Sequence, residues 1–349
     1  MKSPDGVNRS YLLPAVVTAL AMIWSASIGA QSSTAPAASA VADTRTAERT
    51  VNEWLARLHN ASRRGAYVGT YVVSAGNTLS SARIWHVCDG AQQVERVESL
   101  TGAPRSTLRH NDQVLTFLSE SRVVLVEERE SLAFFQNLLK AEDSSIAQFY
   151  LLGALGGGRV AGFDADVLEL RPRDNLRFGY RVWSEKKSGL VLKLQTLGTD
   201  GAVLEQAAFT ELQMDASVNV AKLIEMMQQT AGYQVEKPEV VKTMAAGEGW
   251  VLKNIVPGFR PRNCYKRVMR LAATAHQRNT LQWIFSDGLA SVSLFVEVFD
   301  PRRHGRPLVS VIGATHMVTR RIGDWWLTAV GEVPAQTLMA FAQGLERSK

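Results

Sequence analysis

The sequence predicts an α+β protein in two parts: a large antiparallel sheet, curved or partly closed, with helices on one face, and a smaller antiparallel sheet that ends in a helix. Three observations support this class. Short stretches that alternate apolar and polar residues recur along most of the chain. Gly, Asn and Asp clusters separate these stretches at hairpin spacing, which is typical of antiparallel pairing. Helical spacing of apolar residues is confined to a few segments.

The composition is that of a folded protein with room for two domains. The chain has 349 residues, of which 46% are hydrophobic and 21% are charged, and domains commonly have about 150 residues. The net charge of +6 is well short of a nucleic-acid-binding surface. Two cysteines exclude a disulfide scaffold. Cys88 and Cys264 either pair in an oxidising compartment or remain buried thiols, and both alternatives stay open.

The first thirty residues have the order of a secretory signal peptide. Basic Lys2 and Arg9 precede an apolar stretch, and small residues lead to Ala30. The alternative is a membrane anchor, but about ten strongly apolar residues form a helix of only about 15 Å, against about 30 Å of hydrocarbon. We therefore expect export, cleavage after Ala30, and a flexible leader over residues 31–45.

The first part, residues 46–229, begins with a helix over residues 46–61, where Val51, Leu55 and Leu58 share one face. The period then changes to two. Strands are predicted at residues 67–73, 82–87, 93–98, 105–109, 114–118, 123–127, 167–171, 179–184, 190–197 and 203–212. Between the sixth and seventh strands, two short apolar helices are predicted, at residues 132–139 and 146–152. Residues 156–158, all glycine, should end the second of them, and a helix over residues 220–229 closes this part.

A polar segment with Gly232, Pro238 and Gly247 predicts a linker over residues 230–247. The second part, residues 248–346, is rich in strand patterns. They lie at residues 264–271, 281–286, 289–298, 308–318 and 325–331. Asp287 and Gly288 give the strongest hairpin signal of the chain, and Pro334 is suited to open the final helix.

Motifs for catalysis or metal binding do not emerge. The six histidines are scattered, and none belongs to an H-E-x-x-H motif. Gly153 and Gly158 have the spacing of a phosphate loop, but Arg159 and Val160 occupy the positions that need Lys and Ser or Thr. We therefore expect no enzyme activity, no cofactor, no metal and no nucleic-acid partner.

The density of apolar residues in the two short helical segments is unusual. The simpler interpretation is that these residues fill a curved sheet as its core. The alternative is that they border an apolar groove, which would take an acyl chain or a partner's side chains. The candidate groove residues are Phe134, Phe135, Leu138, Leu139, Phe149, Tyr150 and Leu152.

Six stretches stand out for their order along the chain. They are ESLTGAPR at residues 98–105, FGYRVWS at 178–184, LEQAAFT at 204–210, PGFR at 257–260, FSDGLASVS at 285–293 and GEVPA at 331–335. Together they resemble the RseB/MucB family of periplasmic regulators of the envelope-stress sigma factor. The resemblance implies a larger domain with the lipoprotein-carrier fold of LolA, an open β-barrel around helices, and a smaller antiparallel domain.

The resemblance also implies a function in the periplasm. Such a protein binds the periplasmic part of a RseA/MucA-type anti-sigma factor, shields it from proteolysis, is displaced by lipopolysaccharide or another lipid, and self-associates. Because family-like stretches lie in the second part, we expect partner contacts at Phe259, Arg260, Ser286 and Asp287. A periplasmic carrier of lipids or lipoproteins, or a chaperone, of the LolA type is the alternative function.

Overall fold

The computed structural model describes residues 39–128, 146–270 and 277–348, which form mostly β-strands. A twelve-stranded sheet is the larger of the two main sheets. Its strands are β1 (Gly65–Ala75), β2 (Thr78–Cys88), β3 (Gln93–Ser99), β4 (Arg105–His110), β5 (Gln113–Leu118), β6 (Val123–Glu128), β7 (Tyr150–Val160), β8 (Phe163–Pro172), β9 (Gly179–Glu185), β10 (Val191–Leu197), β11 (Val203–Met214) and β12 (Gln234–Glu236).

Their order across the larger sheet is β12-β6-β5-β4-β3-β2-β1-β11-β10-β9-β8-β7. Neighbours are antiparallel except β12, which pairs with β6 in parallel. The edge strands β12 and β7 do not pair with each other. The described residues therefore form an open sheet and not a closed barrel, and the barrel-like curvature expected from the family resemblance stays a prediction.

Among the described residues, three helices accompany the larger sheet: α1 (Ser39–Ser62), α2 (Ile146–Phe149) and α3 (Val220–Gln228). The apolar spacing of α1 places Val51, Leu55 and Leu58 in the main core of this sheet. The Asn219 side chain caps α3 by accepting a hydrogen bond from the Lys222 N–H at 2.9 Å. Within the described residues, no helix combines the length and the apolar character needed to span a bilayer.

A seven-stranded antiparallel sheet forms most of the second part. In chain order the elements of this part are β13 (Glu239–Lys242), β14 (Trp250–Leu252), β15 (Arg260–Arg270), β16 (Gln277–Ser286), β17 (Ser291–Val298), β18 (Val309–Ile312), β19 (Thr315–Ile322), β20 (Trp325–Gly331), α4 (Ala335–Gly344) and β21 (Leu345–Arg347). The sheet order is β13-β15-β16-β17-β20-β19-β18, and β14 pairs with β21. The predicted final helix is α4, which buries Leu338 and Phe341 in the core of this part.

Two predicted elements differ from the structure. The helix predicted over residues 146–152 ends at Phe149, and the chain continues as β7, so the glycines at 156–158 lie inside a strand. Pairing with β8 decides this segment, and a register shift between Ala154 and Gly156 accommodates the glycine run. The strand predicted over residues 308–318 is two strands, β18 and β19, that turn at Gly313, where φ is 58°. The helix predicted over residues 132–139 lies outside the described residues.

The segment at residues 230–247 passes from one sheet to the other. Strand β12 belongs to the larger sheet and β13 to the smaller one, so the chain crosses between Glu236 and Glu239. From Val41 onward the chain forms a single compact unit. The interpretation of residues 230–247 as a linker between two domains stays a prediction.

Candidate functional site

A buried arginine joins the two sheets. Arg177 lies in the loop between β8 and β9, and its side chain is fully buried. Its Nη1 donates to Oδ2 of Asp287 at 2.7 Å, and its Nη2 donates to the Pro257 carbonyl at 2.7 Å. Its Nε donates to Oδ1 of Asp174 at 3.0 Å. A guanidinium without water needs partners in each of these directions, and two of them come from the part that contains the smaller sheet.

Asp287 is the matching carboxylate, in the turn between β16 and β17. Its Oδ1 accepts hydrogen bonds from the N–H groups of Leu289 at 2.9 Å and Ala290 at 2.7 Å. Its Oδ2 accepts one from the Tyr150 hydroxyl at 3.0 Å, in addition to that from Arg177. Burial raises the pKa of Asp287, while these hydrogen bonds and the Arg177 charge oppose the rise. The same side chain therefore closes the predicted hairpin turn and binds the larger sheet.

Aromatic rings enclose the guanidinium. The Arg177 Cζ lies 4.4 Å from the ring centre of Phe149 and 5.3 Å from that of Phe259, within the range of cation–π attraction. Gly258 has φ of 85°, and a Cβ there would lie 2.9 Å from both the Arg177 nitrogens and the Phe149 ring. Only glycine fits between the two sheets at this point.

Further contacts connect the sheets beside this cluster. The Thr337 hydroxyl of α4 donates to the Leu176 carbonyl at 2.7 Å. Leu176 packs against the core of the smaller sheet, and Leu289 belongs to the core of the larger one. Each sheet therefore receives a leucine from the loop of the other. We call Arg177, Asp287, Tyr150, Phe149, Phe259 and Gly258 the junction cluster.

A second contact between the sheets involves Glu205 of β11. Its Oε2 accepts a hydrogen bond from the Ala314 N–H at 3.4 Å, in the turn between β18 and β19. A Cβ on the neighbouring Gly313 would lie 2.7 Å from the Ala75 Cβ, which shows how closely the turn approaches β1. Burial raises the pKa of Glu205.

The structure brings together four residues that the sequence assigned to two separate sites. Phe149 and Tyr150 were candidates for an apolar groove, whereas Phe259 and Asp287 were candidates for partner contacts. All four belong to the junction cluster, where Tyr150, Phe259 and Asp287 are almost fully buried. Their binding roles stay predictions, and in the described structure their contacts are within the chain.

The remaining predicted residues lie apart from the junction cluster. Leu152 is half-buried and packs against the core of the larger sheet. Arg260 is exposed at the start of β15. The Ser286 hydroxyl donates to the Ala290 carbonyl at 2.8 Å inside the β16–β17 turn. The candidates outside the described residues are Phe134, Phe135, Leu138 and Leu139.

Sequence reasoning missed Arg177, whose three side-chain hydrogen bonds reach Asp174, Pro257 and Asp287. A single arginine in a loop is normally exposed, and its apolar neighbours Leu176 and Phe178 indicate their own burial but not that of the arginine. Asp174, three residues earlier, was the available signal, because it can pair locally with Arg177. That pairing alone does not distinguish a surface loop from a buried one.

A cleft of about 770 Å³ opens between α1 and the larger sheet. Cationic side chains line part of it, from Arg57 and Arg64 and from Lys187 in the β9–β10 turn. Tyr67 and Leu190, which belong to the core of the sheet, line another part. The acidic side chains of Glu53 and Asp215 also line the cleft. The cleft therefore carries charges of both signs, with the cations in excess by one, beside apolar surface, and this combination suits an amphipathic molecule with an anionic headgroup.

A second buried polar cluster lies within the larger sheet. His86 Nδ1 and Glu95 Oε1 are 2.8 Å apart, and Arg109 Nη1 is 3.3 Å from Glu95 Oε2. Burial raises the pKa of Glu95, but the partners His86 and Arg109 outweigh it and the net pKa is lowered. The His86 and Glu95 side chains are fully buried, so this cluster contributes to the packing of the sheet and offers no access to a substrate.

The cysteines and the acidic side chains do not assemble into a site. Cys88 and Cys264 are free thiols. In the part of the chain that the structure describes, no group of three or more His, Cys, Asp or Glu side chains is placed to hold a metal ion.

Comparison with known proteins gives matches over both sheets. The model of the MucB/RseB N-terminal domain matches residues 50–227, and that of the MucB/RseB C-terminal domain matches residues 244–346. This chain belongs to the MucB/RseB family. The family resemblance of the six sequence stretches is thereby confirmed.

Two relatives illustrate how far the family likeness extends. The sigma factor AlgU regulatory protein MucB of Pseudomonas aeruginosa is 31% identical over 295 residues, which cover 82% of this chain and 87% of that protein. The sigma-E factor regulatory protein RseB of Escherichia coli K12 is 21% identical over 296 residues, 84% of this chain and 89% of that protein.

Solved structures of the family have the same fold. A chain of the Pseudomonas aeruginosa MucA/MucB complex superposes with a TM-score of 0.64 at 28% identity, and covers 86% of this chain and 99% of that one. A chain of MucB in complex with MucA(peri) gives a TM-score of 0.63 at 27% identity, and covers 85% and 98% respectively.

Proposed function

We propose that this chain is a periplasmic negative regulator of a sigma-E-type envelope-stress sigma factor. It binds the periplasmic part of a RseA/MucA-type anti-sigma factor and shields that part from regulated proteolysis. The observation that carries the proposal is family membership over both sheets, together with a 31% identical relative that is a sigma factor regulator. Structures of MucB with MucA support the choice of partner.

The proposal includes the location and organisation of the chain. It is exported by a signal peptide at residues 1–30, has a flexible leader at 31–45, and consists of domains at 46–229 and 248–346 with a linker at 230–247. The larger domain is a lipoprotein-carrier-like open barrel, and the protein binds without catalysing a reaction. The signal-like order of residues 1–30 and the two family matches support this organisation.

The junction cluster supports a mode of binding in which both domains act together. Arg177 and Asp287 form a fully buried pair across the two sheets, and the turn hydrogen bonds of Asp287 fix its direction. The two sheets are thus held in one relative position before a partner binds. The entropy lost on binding a partner that contacts both sheets is then smaller, because binding does not have to order the sheets.

Release by lipopolysaccharide or another lipid is the regulatory part of the proposal. The cleft beside α1 supports it, because Arg57, Arg64 and Lys187 suit an anionic headgroup and core residues such as Leu190 suit an acyl chain. Each buried CH₂ contributes about 0.8 kcal/mol. A lipid that prefers one conformation and a peptide that prefers another must then weaken each other's binding by the same factor.

A protection assay tests the proposal. The full chain is mixed with the purified periplasmic segment of the anti-sigma factor encoded in the same genome, and cleavage of the segment by an added protease is followed. We expect the chain to bind the segment and slow its cleavage, and lipopolysaccharide to restore the rate. The variant Arg57→Ser/Arg64→Ser should protect as well as wild type but respond less to lipopolysaccharide. Absence of binding at micromolar concentrations would refute the regulator, and lipid bound without any peptide binding would point to a carrier.

A further inference from the structure

Strand β18 is an exposed apolar edge of the smaller sheet. It pairs with β19 on one side and stands last in the strand order of that sheet. Val309, Val311 and Ile312 expose 53%, 54% and 63% of their surface. Apolar side chains on both faces of a short edge strand are unusual in a protein that does not use them for contacts.

The backbone of β18 has hydrogen-bonding groups free to accept another strand. The Thr319 N–H donates to the Leu308 carbonyl at 2.9 Å, so Leu308 faces β19. Because inward and outward groups alternate in an antiparallel ladder, the N–H and C=O of Val309 and Val311 point away from β19. Within the described residues, no strand pairs with that side.

The other edges of the two main sheets carry features that discourage further pairing. Strand β13 begins with Glu239 and ends with Lys242, and β12 ends with Glu236. Strand β7 has an irregular register between Ala154 and Gly156. Edge charges and bulges of this kind prevent strand addition, and β18 (Val309–Ile312) contains neither.

Positive charge lies directly before β18. Arg302 and Arg306 are exposed in the loop that leads into the strand, and neither forms an ion pair within the described chain. The nearby carboxylate of Asp300 accepts a hydrogen bond from the Arg302 backbone N–H at 2.9 Å. A strand that pairs with β18 would therefore lie, at one end, near two cations that have no ion-pair partner among the described residues.

The larger sheet also exposes apolar residues near the turn that follows β18. Gly313, next to Ile312, approaches Ala75 at the end of β1. Leu79 lies opposite Ser74 in the β1–β2 pair and is 70% exposed. Val203, at the start of β11, is 49% exposed. A long extended segment could thus contact both sheets.

We propose that β18 accepts an extended segment of the anti-sigma factor's periplasmic part as an added strand, with alternating apolar side chains and acidic residues opposite Arg302 and Arg306. The inference rests on the proposed function and names the surface that performs it. Backbone hydrogen bonds to Val309 and Val311 provide the binding, and the arginines fix the direction of the added strand.

Val311→Pro in the full chain tests the added strand. The Val311 N–H points away from β19, so proline removes a donor to the partner and leaves the β18–β19 hydrogen bonds in place. The matched control is Val311→Thr, which keeps the N–H and the shape. Binding of the purified periplasmic segment is measured by titration calorimetry, after circular dichroism and the Tm confirm folding. We expect Kd to increase at least about tenfold for proline and less than about twofold for threonine.

A second variant, Arg302→Glu/Arg306→Glu, tests the direction of the strand and remains informative if the proline variant does not fold. It should weaken binding at least about fivefold at low salt and reduce the salt dependence. If wild type binds but both altered forms bind equally well, the β18 inference is wrong and the regulator proposal stands. If Val311→Pro only abolishes self-association in sedimentation experiments, the occupant is a second copy and the inference is also wrong. Failure of wild type to bind refutes the regulator itself, and this inference with it.

Discussion

Replacing Asp287 with alanine should lower the free energy of unfolding by about 3–5 kcal/mol, because it leaves the buried Arg177 charge without its carboxylate. Asp287 accepts four hydrogen bonds, two from its own turn and two from the larger sheet. The Arg177 side chain is fully buried, so its charge would remain away from bulk water without a carboxylate beside it. Against a typical stability of about 5–15 kcal/mol, this loss is large.

Two companion variants separate the causes. Tyr150→Phe removes one hydrogen bond to the carboxylate and leaves the ion pair intact, so it should cost about 1.5–3 kcal/mol. Asp287→Asn keeps an acceptor for the turn but places an NH₂ group or a neutral oxygen against Arg177. It should therefore cost more than about 2 kcal/mol, and more than Tyr150→Phe.

Urea unfolding of the full chain, followed by tryptophan fluorescence, measures these costs through the midpoint and the m-value. If the junction cluster couples the two sheets, Asp287→Ala should lower the midpoint and separate the transition into two phases. A loss below about 1 kcal/mol for Asp287→Ala, or equal losses for Asp287→Ala and Tyr150→Phe, would show that the buried pair does not hold the sheets together.

Three further predictions concern other positions. Gly258→Ala should lower the Tm and cost about 1–3 kcal/mol, because the residue has φ of 85° and its Cβ would collide with Arg177; an unchanged Tm would contradict this. Burial raises the pKa of Glu205, so its ionisation destabilises the fold as pH rises through that pKa. Glu205→Gln should therefore be more stable than wild type at pH 7, and the difference should disappear below about pH 4.5 in pH-dependent unfolding; a difference independent of pH would exclude this cause. Intact-mass analysis after alkylation should show modification of Cys88 first, because burial raises the pKa of Cys264 to about 11, and equal rates would argue against that burial.

The strands of the larger sheet were predictable because their patterns are local. Alternation identified residues 82–87, for example, and the structure extends that strand to Thr78–Cys88. The first residues of this strand, from Thr78, have little apolar alternation. Their strand conformation depends on pairing with β1, where Thr78 lies opposite Ala75. Strand ends of this kind depend on the neighbouring strand, which a single window of sequence does not contain.

Failures occurred where tertiary contacts override local spacing. The apolar residues after Ile146 have helical spacing, but Tyr150 pairs opposite Pro172 in β8 and the helix stops. Gly313 lies in an apolar run that is typical of a continuous strand, and its turn lacks the Asn-Gly or Asp-Gly signal. The turn packs so closely on Ala75 and Glu205 that a side chain at position 313 would collide with them. The sequence alone does not reveal such a contact.

Individual residues of the candidate site could be recognised from the sequence, but the contacts between them could not. Asp287 could be recognised as a turn residue, and Tyr150 as part of an apolar cluster. These two residues are 137 positions apart in sequence, and Arg177 is 110 positions from Asp287. No local pattern relates positions at such separations.

The junction cluster has a consequence for recognition that stability alone does not capture. An apolar contact between two sheets tolerates sliding, whereas Asp287, fixed by its own turn, accepts from Arg177 in a single direction. A buried ion pair is weak evidence for stability, and one well-supported use is to select one arrangement over others. The surface from β18 to Leu79 depends on that arrangement, because it belongs to both sheets. Asp287→Asn should then weaken binding of a partner that spans both sheets, although the Asp287 side chain is buried between them. A partner that contacts β18 alone would bind this variant as well as wild type.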